Sequence, residues 1–146
     1  MLSVVDVARY ILSKFDSVTT MKLQKLTFYA QAHSLGSKGK PLFEEDFQAW
    51  VGGPVSPALF QKHRGKFLIS PGFLGDESDP LPVETARVID EVLGALGNKS
   101  GNELSDRTHR EDPWVQARGD RAPDSLGGDV ISQRAIQEFY SLHPVV

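Results

Sequence analysis

Catalysis in a small protein needs a nucleophile, an acid–base pair or a cluster of metal ligands, and this chain offers few candidates. Histidine occurs four times, at His33, His63, His109 and His143. No two of them stand as H-x-x-x-H or H-E-x-x-H, so no helix presents paired imidazoles to zinc. The nearest approach to a metal or acid–base edge is Thr108-His109-Arg110-Glu111-Asp112. A metal-dependent hydrolase around His109, Glu111 and Asp112 is the enzymatic reading, but two or three further ligands must then come from elsewhere. The preferred reading is a turn whose polar side chains cap a helix opening at Pro113. With no cysteine in the chain, a thiol nucleophile, a disulfide and thiolate ligands are excluded. Neither G-x-S-x-G nor G-x-x-x-x-G-K-[ST] occurs, which removes the nucleophile elbow and the phosphate-cradling loop. The expectation is no catalytic residue, no cofactor and no metal.

Other residues suit contact better than chemistry. Lys22, Gln24 and Lys25 fall in the first turns of an expected central helix. Their first reading is a solvated face opposite Leu23 and Leu26; their second is a polar, partly basic contact surface. Trp50 and Trp114 stand beside Gly/Pro turns and read first as core anchors, second as partner anchors. A formal net charge of −3 gives no basic footprint for nucleic acid. The first residues carry no basic leader and no long apolar run, and nowhere do about 18 apolar residues follow one another. The expectation is a cytoplasmic protein with no membrane contact.

These residues must be positioned by helices. Val4, Val7, Ala8, Ile11 and Leu12 form an apolar stripe that predicts a helix over Val4 to Lys14, opened by a Ser3/Asp6 capping box. Met21 to Leu35 predicts a second helix, apolar round most of its girth and therefore central, ended by Gly36 and Gly39. Alternation over Phe47 to Val51 predicts a short strand, broken at Gly52-Gly53-Pro54. Ser56-Pro57 opens a short helix that ends near Arg64-Gly65. Lys66 to Pro82 holds no period, yet carries Phe67, Leu68, Ile69, Phe73 and Leu74. Val83 to Leu96 is the clearest helix, with Gly97 at its end. Ser100 and Glu103 open a helical turn, and Asp112-Pro113-Trp114 opens another segment. Residues 119–128 read as a mobile polar loop, and Ser132 caps a last helix, Gln133 to Leu142, with Ile131 and Ile136 as its staple. The fold class is mainly α: a compact single domain over residues 1–146 with about five or six helices and at most a minor two-stranded β element.

Three stretches, taken together, resemble a known family. They are Lys22-Leu23-Gln24-Lys25-Leu26-Thr27-Phe28-Tyr29-Ala30-Gln31; Lys40-Pro41-Leu42-Phe43 through Ala49-Trp50-Val51-Gly52-Gly53-Pro54-Val55; and Leu104-Ser105-Asp106-Arg107-Thr108-His109 through Pro113-Trp114. Their order and spacing are similar to the Panacea antitoxin domain, also called the SocA-like or GepA-like phage-associated domain. The likeness runs from about Val4 to Tyr140. It implies a largely helical protein, bacterial or prophage-encoded, that neutralises the toxin of an adjacent gene by direct protein–protein binding and without turnover. A proteolytic adaptor that delivers the toxin to ClpXP is the nearest variant. It further implies structural positions at Leu23, Leu26, Tyr29, Trp50, Gly53, Pro54, Thr108, His109, Pro113 and Trp114. Contact with the toxin is expected through Lys22, Gln24 and Lys25, or through Phe67, Leu68 and Phe73. A homo-oligomer and a hetero-oligomer with the toxin both stay open.

Overall fold

Capping side chains start most of the helices where the sequence predicts them. The computed structural model describes residues 2–76 and 80–146, so part of the loop Lys66 to Pro82 lies outside the described residues. Helix α1 (Val4–Leu12) opens on a reciprocal box: Asp6 N–H donates to Ser3 Oγ at 3.2 Å, and Ser3 N–H donates to the Asp6 carboxylate at 2.9 Å. It stops short of Lys14. Strand β1 (Val18–Thr19) leads into α2 (Thr20–Lys38), where Thr19, one residue earlier than a Thr20 cap, accepts from Lys22 N–H at 3.1 Å. Strands β2 (Phe47–Trp50) and β3 (Gly53–Val55) precede α3 (Pro57–His63), with Ser56 as N-cap and Pro57 in the first turn. Then come β4 (Leu68–Ile69), α4 (Val83–Leu96), α5 (Gly101–Thr108), α6 (Asp112–Arg118), β5 (Val130–Ile131) and α7 (Gln133–Leu142).

The result is mainly α, with seven helices among the described residues and two small antiparallel sheets. One sheet pairs β1 with β4, Val18 opposite Ile69. The other has the order β3-β2-β5, and β2 turns into β3 through Val51-Gly52. The expected break at Gly52-Gly53-Pro54 is thus a hairpin turn followed by a strand. Pro54 is tolerated because β3 is an edge strand, where a missing N–H breaks no central ladder. Strands as short as β1, β4 and β5 carry no readable alternation, which is why the sequence did not mark them.

Helix α2 is the axis of the domain. Every residue from Leu23 to Leu35 is buried, because α7, α4, α5 and α1 pack round it. Gly36, expected to end this helix, lies inside it. Gly39, left-handed at φ 70°, does the ending. Gly36 serves packing instead: a Cβ there would stand 2.6 Å from the carbonyl oxygen of Tyr140 on α7. Ser100 and Glu103 do form a capping box, and the helix it opens runs on to Thr108. At α6 the register shifts by one: Asp112 is the first helical residue, and Glu111 takes the cap position without a side-chain cap bond. The loop 119–128, expected to be mobile, is tied to β2. Val51 N–H donates to the Leu126 carbonyl at 2.9 Å, and the buried Arg118 guanidinium donates to the carbonyls of Ala49 and Ala122 at 3.2 and 2.9 Å.

The close approach of α2 and α7 gives a test. Gly36→Ala should destabilise by about 1–3 kcal/mol through overpacking. Gly94→Ala, in α4 where an added Cβ meets open space, should instead gain roughly 0.5–1 kcal/mol in helix propensity. Urea denaturation of both variants checks the pair; equal effects would remove the packing role of Gly36.

Candidate functional site

The three sequence stretches converge at one place. Trp114 Nε1–H donates to the Trp50 carbonyl at 2.9 Å, joining α6 to the end of β2. The His109 ring stacks on Trp114 with centroids 4.1 Å apart. Thr108 and Pro113 are buried beside them, and the Thr108 hydroxyl donates to the Ser105 carbonyl at 2.7 Å. Gly53, at φ 121°, lets two neighbours approach: a Cβ there would stand 2.6 Å from Lys25 Cε and 3.0 Å from Thr108 Oγ1. The stem of Lys25 therefore packs against Gly53 in β3, and Thr108 of α5 approaches the same glycine. Leu23, Leu26, Tyr29 and Pro54 are buried. Trp50 and Trp114 are half-buried where a more complete burial was expected.

The expected polar face of α2 is not a solvated one. Packed by α1, α4, α5, α7 and β3, α2 leaves little of this face to water, and each polar group is absorbed differently. Lys22 lies over the Phe15 ring and donates to the Gly97 carbonyl at 2.7 Å, a cation at the C-terminal end of α4. Buried Gln24 clamps Ser56: its Oε1 accepts from Ser56 N–H at 2.9 Å and its Nε2 donates to the Ser56 carbonyl at 3.2 Å. The same amide stands 3.0 Å from His63 Nε2. Because the Gln24 oxygen is already engaged, its N–H is the donor in that contact. His63 Nε2 must then carry a lone pair, so the ring is neutral with its proton on Nδ1. Burial, aided by the Lys25 charge, holds the His63 imidazole below its ordinary range.

Lys25 is the exception. It is 2% exposed, yet among the described residues its ammonium has no ion-pair or hydrogen-bond partner. Burial alone pushes its amine from 10.5 down to about 7. It lines a pocket of about 200 Å³ with His63 and with apolar walls from Met21, Trp50, Val51, Val55 and Phe60. Met21 and Val51, at 40% and 38% exposure, form its rim. Sequence reading missed Met21, Val55, Phe60 and His63. The one available signal was Met21 four residues before Lys25, on the same helix face.

The His109–Glu111–Asp112 trio does not form a shared site. Glu111 Oε1 accepts from the Tyr29 hydroxyl at 2.5 Å and the Tyr140 hydroxyl at 2.9 Å, while Oε2 meets Arg107 at 3.2 Å. Burial, with the Glu111 charge adding to it, pushes both phenols above their ordinary range. His109 turns to Trp114, and burial holds its imidazole low, reinforced by Lys25 and Arg118 and opposed by Asp106. Its Nε2 is buried without a partner. Asp112 is exposed. The cap expected of Asp112 before Pro113 is absent because Asp112 is itself the first helical residue, and Glu111, at the cap position, gives its carboxylate to the tyrosines and Arg107.

Among the loop residues, Phe67 is 75% exposed and Leu68 55%, with Phe73 also exposed. Phe67 is held beside the pocket, since its carbonyl accepts from Thr20 N–H at 2.9 Å and Thr20 lines the pocket. No helix among the described residues is long and apolar enough to cross a membrane.

A helical domain with this convergent motif has known counterparts. The family described as "Antitoxin SocA-like, Panacea domain" matches residues 23–115, which hold nearly all of the three stretches. The chain belongs to that family. It is 29% identical over 109 residues to Antitoxin SocA of Caulobacter vibrioides (strain NA1000 / CB15N), across 66% of this chain and 58% of that protein. The chain thus spans less than two thirds of the length of this curated relative. No solved structure matches.

Two stability tests follow from the buried groups. An unfolded chain keeps the Lys25 proton up to about pH 10.5, whereas the folded chain releases it near pH 7. Between those values the unfolded state binds more protons, so this group makes stability rise with pH, by at most about 1.4 kcal/mol per unit. Lys25→Met should therefore be more stable than the parent at pH 7, with a flatter profile between pH 7 and 10. Identical profiles in urea melts would place a counter-charge beside the amine. Glu111→Ala takes the acceptor from two tyrosine hydroxyls and should cost about 2–4 kcal/mol. A loss under roughly 0.5 kcal/mol, the scale of an ordinary surface change, would show that this hub holds little.

Proposed function

We propose that this protein is an antitoxin that neutralises the product of an adjacent gene by binding it, without turnover. The observation that carries this is membership of the antitoxin family across residues 23–115, together with the likeness to Antitoxin SocA. The geometry gives support of its own. Phe67 and Leu68 stand in solvent on a two-residue strand, and Met21 and Val51 are exposed close by. Apolar groups gathered on one face of a small domain fit a protein contact. The polar groups that suggested an enzyme are consumed by structure: Glu111 by two tyrosines and an arginine, His109 by its stack on Trp114. Toxin contact is assigned to Phe67 and Leu68 with the neighbouring pocket rim. Lys22 and Gln24 drop out of the contact set because each is tied inside the fold.

Inducing the neighbouring gene in a bacterial host should stop growth, and co-inducing this chain should restore it. Phe67→Glu combined with Leu68→Glu should abolish rescue while leaving the melting temperature within a degree or two, since both side chains already face water. A harmless neighbour, or failed rescue with both proteins present in the soluble fraction, removes the antitoxin reading. Rescue that disappears only in a host lacking ClpXP replaces direct neutralisation with adaptor-mediated degradation.

A further inference from the structure

Lys25 is buried and, among the described residues, without an ion-pair or hydrogen-bond partner, so a charge on its amine is costly for the fold to keep. Three observations say what would relieve it. First, among the described residues no carboxylate acts on the amine; burial alone accounts for its depressed basicity. Second, the other titratable group of the pocket, His63, is held neutral by the Gln24 amide, so it supplies no counter-charge and no second cation. Third, the walls are apolar: Met21, Trp50, Val51, Val55 and Phe60. A site with one cation at its base and apolar walls is complementary to an anion carried on an aliphatic stem.

Size narrows the choice. Pockets for free small molecules run from about 300 Å³ upward, and this one is about 200 Å³. That is room for one side chain. The rim is continuous with the exposed apolar surface, because Thr20 joins the pocket to Phe67 through a 2.9 Å bond. A partner lying on Phe67 and Leu68 thus has the pocket beneath it.

We propose that the pocket over Lys25 is the anchor site of the interface and receives an acidic side chain of the toxin, whose carboxylate pairs with the Lys25 ammonium. This rests on the antitoxin reading above. The Lys25 side chain is buried, and in such a place a charge-assisted hydrogen bond is strong and a missing partner is penalised. Lys25 then stands as a binding residue kept at the expense of stability, the trade expected where a fold holds a functional group in place. Gly53 belongs to the same site: its missing side chain is the space through which the Lys25 stem reaches the pocket.

The test has two arms. In the first, the isolated protein is titrated with sodium butyrate and, separately, with butanamide, a neutral molecule of similar shape, and the Trp50 indole N–H is followed by NMR. Butyrate should shift this resonance saturably, butanamide should not, and Lys25→Met should lose the response. Met21→Glu is a second variant: it sets a carboxylate four residues before Lys25 on the same face, and should also lose the response by filling the pocket in cis. Equal responses to butyrate and butanamide, or an undiminished response in Lys25→Met, overturn the proposal. In the second arm, the complex with the purified neighbouring gene product is measured by calorimetry. Lys25→Met and Met21→Glu should each weaken it by tenfold or more, although Lys25→Met is the more stable protein. If wild type binds and both variants bind equally well, the pocket is not the anchor and only this proposal falls. If wild type does not bind the neighbour at all, the antitoxin reading falls, and the toxin as occupant falls with it.

Discussion

The burial of α2 on every side is the constraint on which the rest depends. Between Leu23 and Leu35 a helix packed by α1, α4, α5, α7 and β3 has no solvated face, so each polar side chain of that stretch must be answered from within the protein. Gln24 and Gln31 are answered by backbone, each presenting its oxygen to one N–H and its amide to one carbonyl: Gln24 to Ser56, Gln31 to Leu42 and Phe43. These clamps fasten the loops before β2 and α3 to the central helix. Tyr29 is answered by Glu111, which also takes Tyr140 and Arg107 and so ties α2, α5, α6 and α7 at one carboxylate. Among the described residues of this stretch, the Lys25 amine is the group left over.

That exception gives meaning to the convergence of the motif. Gly53 leaves room for the lysine stem, Thr108 approaches the same glycine, and the Trp114–Trp50 bond joins α6 to the hairpin that walls the pocket. His109 joins through its stack on Trp114 rather than through chemistry of its own. Residues that looked like separate structural anchors therefore lie together around the opening beside Lys25. Glu111 is bonded to both tyrosines and to Arg107, while the His109 ring lies on Trp114, so the two side chains do not meet at a shared site.

Much of the fold was legible in the sequence because its signals are local. Ser3, Ser56, Ser100 and Ser132 each start a helix with the side-chain bond their spacing predicts. The stripe over Val83 to Leu96 is the helix it promised. What failed was decided at long range. Gly36 reads as a terminator until Tyr140 is seen against it. Glu111 reads as part of a polar turn, or as one edge of an acid–base site, until two tyrosines from distant helices claim it. Lys25 reads as solvated because a lysine in a helix usually is, and nothing within a few residues announces that the β2–β3 hairpin and α3 cover it. The site itself was half visible: its motif residues were marked, while the pocket walls at Val55 and Phe60 and the neutral His63 depend on how the hairpin and α3 fold back over α2.

The face at which a partner lands is the point on which the functional account turns, and hydrogen–deuterium exchange on the complex with the neighbouring gene product reads it directly. Protection on binding should concentrate on the β1–β4 ribbon around Phe67 and Leu68, on the Val51-Gly52 turn and on the first turn of α2. Protection confined to the opposite groove between α6 and α7, around Gln116, Glu138 and Leu142, with Phe67 and Val51 unchanged, would contradict it.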